Sequence, residues 1–175
     1  MRNIKSLGIW ILTGLFIVPT AFAVQGLAEL KGTADGSSIT GTVVFTEVEG
    51  GVNVNANVAG VQPAGKRGFH IHEFGSCADT GKSAGGHYNP TQSEHGLVSA
   101  DGHAKAHAGD LGNIEIKDDG TGALQGFLPG VKLTNGEHEI AGRAVILHEK
   151  EDDFGQPTGN AGGRVACGPI IITAP

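Results

Sequence analysis

Clustered positive charge is what this chain lacks most. Its 175 residues carry 12 Lys and Arg against 18 Asp and Glu, a net charge of −6 at pH 7. Nowhere do the basic residues form the run or stripe that a phosphate backbone rewards, so no nucleic acid is expected as a partner. Long apolar runs are also missing. Residues 7–18 are the one candidate, too short for a membrane span, and no second run follows. No stretch shows the i, i+3, i+4 recurrence of an amphipathic helix. Cysteine is confined to Cys77 and Cys167, far from the start of the chain, so no lipid or other stable membrane anchor is expected there.

What is present at the start is a secretory signal peptide, residues 1–23. Arg2 and Lys5 form a basic lead, residues 7–18 an apolar segment, and Ala21-Phe22-Ala23 an A-x-A cleavage site. The expected product is one domain, residues 24–175, exported to the periplasm or the extracellular space and large enough for an adequate core. Losing Arg2 and Lys5 takes its net charge from −6 to −8 (−6 − 2). In an oxidising compartment an even pair of cysteines is most simply one disulfide, with two buried free thiols as the alternative. Closing a loop of 90 residues (167 − 77) would be worth about 4–5 kcal/mol in the chain-entropy model.

From Val24 onward the pattern is β. Gly51-Val52-Asn53-Val54-Asn55-Ala56-Asn57-Val58 alternates strictly, which puts Val52, Val54, Ala56 and Val58 on a buried face and the asparagines in water. The preceding run, 39–48, alternates likewise, and Gly50-Gly51 joins the two as a hairpin. Further strands are expected at 24–30, 68–72, 113–117, 123–127, 143–147 and 165–172, with turn signals at Asp118-Asp119-Gly120 and Asn135-Gly136. The expected fold is all-β: an eight-stranded antiparallel sandwich or flattened barrel with a Greek-key crossing near 128–133. Two segments, about 74–111 and 148–164, are too long and glycine-rich for ordinary hairpin loops and are read as functional.

Histidines mark those loops and the strand before them. In His70-Ile71-His72 the two-residue repeat of a strand sends both imidazoles to one face, where they can close on a single metal ion, and Ile71 to the core. The first loop adds His87, His95, His103 and His107, ending in His107-Ala108-Gly109-Asp110. Three imidazoles with one carboxylate suit a closed, tetrahedral, structural zinc.

At this point the chain resembles the copper/zinc superoxide dismutases. The resemblance covers most of the mature sequence and rests on Gly68-Phe69-His70-Ile71-His72-Glu73, Ser83-Ala84-Gly85-Gly86-His87-Tyr88-Asn89-Pro90, His107 to Asn113, Arg143 to Asp153, and Gly159 to Gly168. It implies copper ligands His70, His72, His87 and His148, and zinc ligands His87, His95, His107 and Asp110. His87 stands in both sets, as an imidazolate bridge that has lost both ring protons. The resemblance further implies that Arg164 guides the anion superoxide to copper, that Asp152 joins one copper and one zinc histidine, and that Cys77 and Cys167 form the family disulfide. The implied reaction is dismutation of superoxide to oxygen and hydrogen peroxide, by a homodimer. His103 and His138 match no ligand position and are expected to be surface or loop-packing residues.

Two departures stand out. The loop before Arg164, Phe154-Gly155-Gln156-Pro157-Thr158, is short and lacks the Lys and Glu that many members place there; Lys82, Lys105 or Lys150 could substitute. Cys77 follows His72 by only five residues, which puts the shape of the disulfide subloop, and any dimer interface built on it, in question. The competing classes are a copper-delivery domain, which would have lost a copper ligand or Arg164, and a zinc hydrolase, which would need an open zinc position.

Overall fold

Eight strands close into an antiparallel barrel in the computed structural model, which describes residues 23–173. The signal-peptide segment therefore lies, except for Ala23, outside the described residues. The barrel strands are β1 (Gln25–Gly32), β2 (Thr40–Val48), β3 (Gly51–Ala59), β4 (Gly65–His72), β5 (Asp110–Ile116), β6 (Gly122–Pro129), β9 (Ala144–His148) and β10 (Arg164–Thr173). Their order around the barrel is β1-β10-β9-β4-β5-β6-β3-β2. Sequence neighbours pair across hairpins, while the β3–β4 and β6–β9 connections each pass over two strands, the Greek-key feature.

The alternation in the sequence becomes the inside and outside of the wall. On β3, Val52, Val54, Ala56 and Val58 are buried and Asn53, Asn55 and Asn57 exposed. The interior is filled by Phe45, Phe69, Ile71, Ile114 and Leu147, among others. Each such side chain contributes about 1.5–3 kcal/mol through the area it takes out of water. Strand β9 does not alternate, because all five of its residues are buried. Its outward side chains Ala144 and Ile146 pack under Ala84, Cys77 and Cys167, so the long loop serves as a second layer there.

Three features were not anticipated. The β6–β9 connection carries a two-stranded parallel pair, β7 (Val131–Lys132) and β8 (His138–Glu139). Glu47 on β2 fastens this connection, accepting from Lys132 Nζ at 3.0 Å and the Leu133 amide at 2.9 Å. A one-turn helix, α1 (Val98–Asp101), and a 3-10 turn at Lys82–Ala84 sit inside the first long loop. Single turns are too short to leave a helical period in the sequence. Among the described residues no helix is long and apolar enough to cross a membrane.

Candidate metal centre

The site is built on the outer face of β4, at two places where the strand ladder slips. Register shifts between Gly68 and His70 on β4 and between Arg164 and Ala166 on β10, an irregularity that re-aims side chains beside a site. As a result His70 faces Asp110 across the β4–β5 pair and His148 faces Arg164 across β9–β10. His70 and His72 share the outer face as the strand repeat dictates, and Ile71 enters the core. Both histidines are nonetheless buried, because the loop returns over them: His87 bridges to His72, Tyr88 N–H donates to the Ile71 carbonyl, and Ile71 N–H donates to the Gly109 carbonyl, the last two at 2.9 Å. A Cβ on Gly109 would stand 2.2 Å from the Ile71 carbonyl oxygen, so this close approach requires glycine.

Two groups of four buried donors result, His70, His72, His87 and His148, and His87, His95, His107 and Asp110, the atoms of each within 4.8 Å of one another, and a third set, His70, His95 and Asp152, joins them. The ring partners show which nitrogens remain. His72 Nδ1 donates to the Gly85 carbonyl at 3.0 Å and His148 Nδ1 to that of Gly162 at 3.3 Å, leaving both Nε2 atoms facing each other at 3.2 Å. His70 gives Nε2 to Asp152 at 2.7 Å and keeps a buried Nδ1 without a partner. Two facing lone pairs and an orphaned third suit a shared cation.

In the second group His87 Nδ1 and His107 Nδ1 lie 2.9 and 3.1 Å from Asp110 Oδ1, and 3.4 Å from each other. His95 Nδ1 comes within 2.8 Å of Asp110 Oδ2 yet lacks the direction of a hydrogen bond, as two ligands aimed at a common point would. Three imidazoles with one carboxylate fit zinc, and the all-imidazole group fits copper. Because His87 Nδ1 is turned to the zinc group, its Nε2 is left for the copper group, which is what a bridge requires.

The electrostatics of the groups differ. Burial, assisted by neighbouring imidazoles, holds His72 down to about 2, His148 to about 3 and His87 to about 4, so these rings stay neutral at physiological pH. For His95 burial also opposes charge, but the carboxylates of Asp110 and Asp152 outweigh it and raise the ring to about 9. Asp110 resists its own burial through His107, His87, His95 and the Gly96 amide, and lies well below the usual carboxylate range.

Asp152 ties the groups together, meeting His70 Nε2 at 2.7 Å and His95 Nε2 at 2.9 Å. Residues not singled out in the sequence fix it in place. Asn113 donates to the Asp152 carbonyl at 2.9 Å and accepts from its amide at 2.8 Å, while Gln156 exchanges two hydrogen bonds with the backbone of His95. Asn113 closes one of the shared motifs, a signal that could have flagged it; Gln156 lies in the short variable loop and had none. A third, Arg143, stacks 3.4 Å over the Tyr88 ring and donates to the Glu73 carbonyl at 2.8 Å, holding the residues next to His87 and His72.

Above the copper group a cavity of about 200 Å³ opens to solvent between His72, His87, His148, Thr158, Asn160 and Arg164. The Arg164 guanidinium donates to the carbonyls of Gly81, at 2.5 Å, Lys82, at 3.3 Å, and Gly85, at 2.5 Å. Those carbonyls belong to the segment that the Cys77–Cys167 disulfide pins to β10, across a Cα–Cα distance of 5.7 Å. His103 and His138 lie apart from both groups and stack on each other.

Comparison with known proteins agrees with this chemistry. The family model for copper/zinc superoxide dismutase matches residues 39–170. A protein of Yarrowia lipolytica (strain CLIB 122 / E 150) named superoxide dismutase [Cu-Zn] is 41% identical over 162 residues, covering 86% of this chain and 99% of the relative. The crystal structure of the clock protein EA4 is similar with a TM-score of 0.75 and 36% identity, covering 90% of this chain and all of that one.

Proposed function

From the premise that the chain belongs to the copper/zinc superoxide dismutase family, we propose which of its residues divide the work of the enzyme. The protein is an oxidoreductase that converts superoxide to oxygen and hydrogen peroxide with copper and zinc. Copper, when bound, would supply the one-electron redox chemistry, and zinc would be structural. His70, His72, His87 and His148 hold the copper; His87, His95, His107 and Asp110 hold the zinc. The single observation behind this assignment is the convergence of unshared ring nitrogens at the floor of an open cavity beside a guanidinium.

Arg164 receives the anion. Its carbonyl partners fix the guanidinium without neutralising it, so its charge remains available to an incoming anion. His87 holds the proton position that alternates in the cycle, since one of its nitrogens belongs to each group. Asp152 keeps His70 and His95 in the tautomer and orientation that their metals need.

Export to the periplasm or extracellular space is proposed from the sequence of residues 1–23, and a disulfide, a bond uncommon in reducing compartments, supports it. A homodimer is also proposed. Supporting it are a groove of about 380 Å³ beside the disulfide, lined by Glu29, Lys31, Thr33, Cys77, Pro169 and Ile171, and the exposure of Ile171 at 57% and Phe74 at 58%.

The test is superoxide disproportionation by the processed protein loaded with copper and zinc, with metal content measured on the same sample. Rapid turnover that disappears when copper alone is removed is expected. Full loading with both metals and no turnover would instead mean metal carriage.

A further inference from the structure

The strongest unexplained feature is a pair of histidines outside both metal groups. The rings of His103 and His138 stack at a centroid distance of 3.9 Å with 36° between their planes. His138 is only 7% exposed, and the Nδ1 atom of each ring is buried without a hydrogen-bond partner. An unmet buried nitrogen is a cost, and two of them in one contact call for a function. The position of the pair supplies one. His103 lies in the zinc-bearing loop, eight residues after His95 and four before His107, whereas His138 begins β8 on the connection that crosses the barrel. His103 Nε2 also donates to the Pro129 carbonyl at 2.6 Å, at the end of β6, and its own carbonyl accepts from Thr91 and Ser93. Here the zinc loop is fastened to the barrel through side chains that bind no metal.

We propose that the His103–His138 stack is an acid-sensitive fastening of the zinc loop, closed while at least one ring is neutral and opened when both are protonated. This rests on the zinc reading of His87, His95, His107 and Asp110. The physics is that of two like charges in a partly dry contact. His138 is held below its ordinary value by burial first and by the charge of His103 second, with Glu137 alone opposing. Among the described residues no further charge acts on His138, and His103 is hydrogen-bonded only to uncharged groups. β7 sets Val131 opposite His138, and Lys132 beside it is engaged by Glu47; β6 offers the Pro129 carbonyl, and Thr91 and Ser93 offer hydroxyls. A ring whose folded value lies below 6.5 favours the closed loop above that pH, and the advantage is lost as pH falls through 6.5. The zinc loop therefore loosens in mildly acidic surroundings.

Amide hydrogen exchange of residues 102–107 in the full protein, at pH 7.5 and pH 5 and corrected for intrinsic rates, tests this. The wild type is expected to exchange about tenfold faster at pH 5. His138→Phe, which keeps a flat ring and cannot be charged, is expected to stay slow at both pH values, and His138→Ala to be fast at both. Equal acceleration in wild type and His138→Phe would overturn the proposal. A second reading needs no variant: NMR titration of the wild-type rings should show His138 titrating below 6.5 and shifting the His103 signals. A His138 ring that titrates at its ordinary value and leaves the His103 signals unmoved would overturn it too. Zinc content at pH 7.5, measured in parallel, judges the zinc reading separately, because loop exchange decides the fastening with or without bound metal.

Discussion

At the scale of single residues, the two metal groups differ in what protons do. In the metal-free protein His72, His87 and His148 are neutral well below pH 6, because burial above all resists their charge. These depressed groups cost stability as pH falls through 6.5, since the unfolded chain takes up protons that the folded one refuses. His95 runs the other way, held near 9 by Asp110 and Asp152 against its burial. Its contribution is fully present below 6.5 and is lost as pH rises through about 9. Added alone, zinc must therefore displace the His95 proton at neutral pH and copper need not; His87 gives up its remaining ring proton only when the second metal completes the bridge. Calorimetry in buffers of differing ionisation enthalpy should find about one proton released per zinc at pH 7, and zinc affinity rising about tenfold per pH unit below 9. Copper affinity should change far less over the same range. Arg164→Gln belongs to the same scale. Removing the one cation on the cavity wall should lower kcat/KM about tenfold or more and leave copper content unchanged, as stopped-flow assays and metal analysis would show.

At the scale of elements, the site depends on how two loops are held to the barrel. Asp152 and Asn113 join the second loop to β5 and to both metal groups, so Asp152→Ala should cost about 10–100-fold in zinc affinity, measured by chelator competition. Gly159 matters for the same contact: it has φ +75°, and a Cβ there would stand 1.8 Å from Asp152 Oδ1. The disulfide holds the other loop. Replacing Cys77 and Cys167 by Ser should remove about 4–5 kcal/mol in denaturant unfolding. It should also lower kcat/KM, because the carbonyls that anchor Arg164 follow Cys77 directly.

Over the whole molecule, an anion must approach a chain of net charge −6. Local potential from the metals and Arg164 has to outweigh the repulsion of the rest, and salt screens the two differently. If local attraction governs, kcat/KM falls as ionic strength rises from about 0.01 to 0.15 M, where the Debye length shrinks from about 30 to 8 Å. A rise would mean that global repulsion limits the rate. Lys82, whose backbone carbonyl meets Arg164 and whose side chain is exposed, is a first variant to place on that salt curve.

The eight barrel strands, and the inward faces of β2, β3 and β4, were legible in the chain because a two-residue alternation is a local property. His70 and His72 were legible as a same-face pair for the same reason, and the other proposed ligands through the resemblance to the family. β9 was found as a strand but not as one buried on both sides, since the layer over Ile146 comes from a loop some 65 residues earlier. Pairing between distant segments set the rest: Asn113 with Asp152, Gln156 with His95, Arg143 with Tyr88, and His103 with His138. The sequence by itself determined which residues are candidates for the chemistry, because donor type and local period are written in the chain. Only the tertiary structure decided which ring nitrogen each histidine keeps free and what fastens the loops, because both depend on carbonyls and carboxylates brought in from elsewhere in the chain.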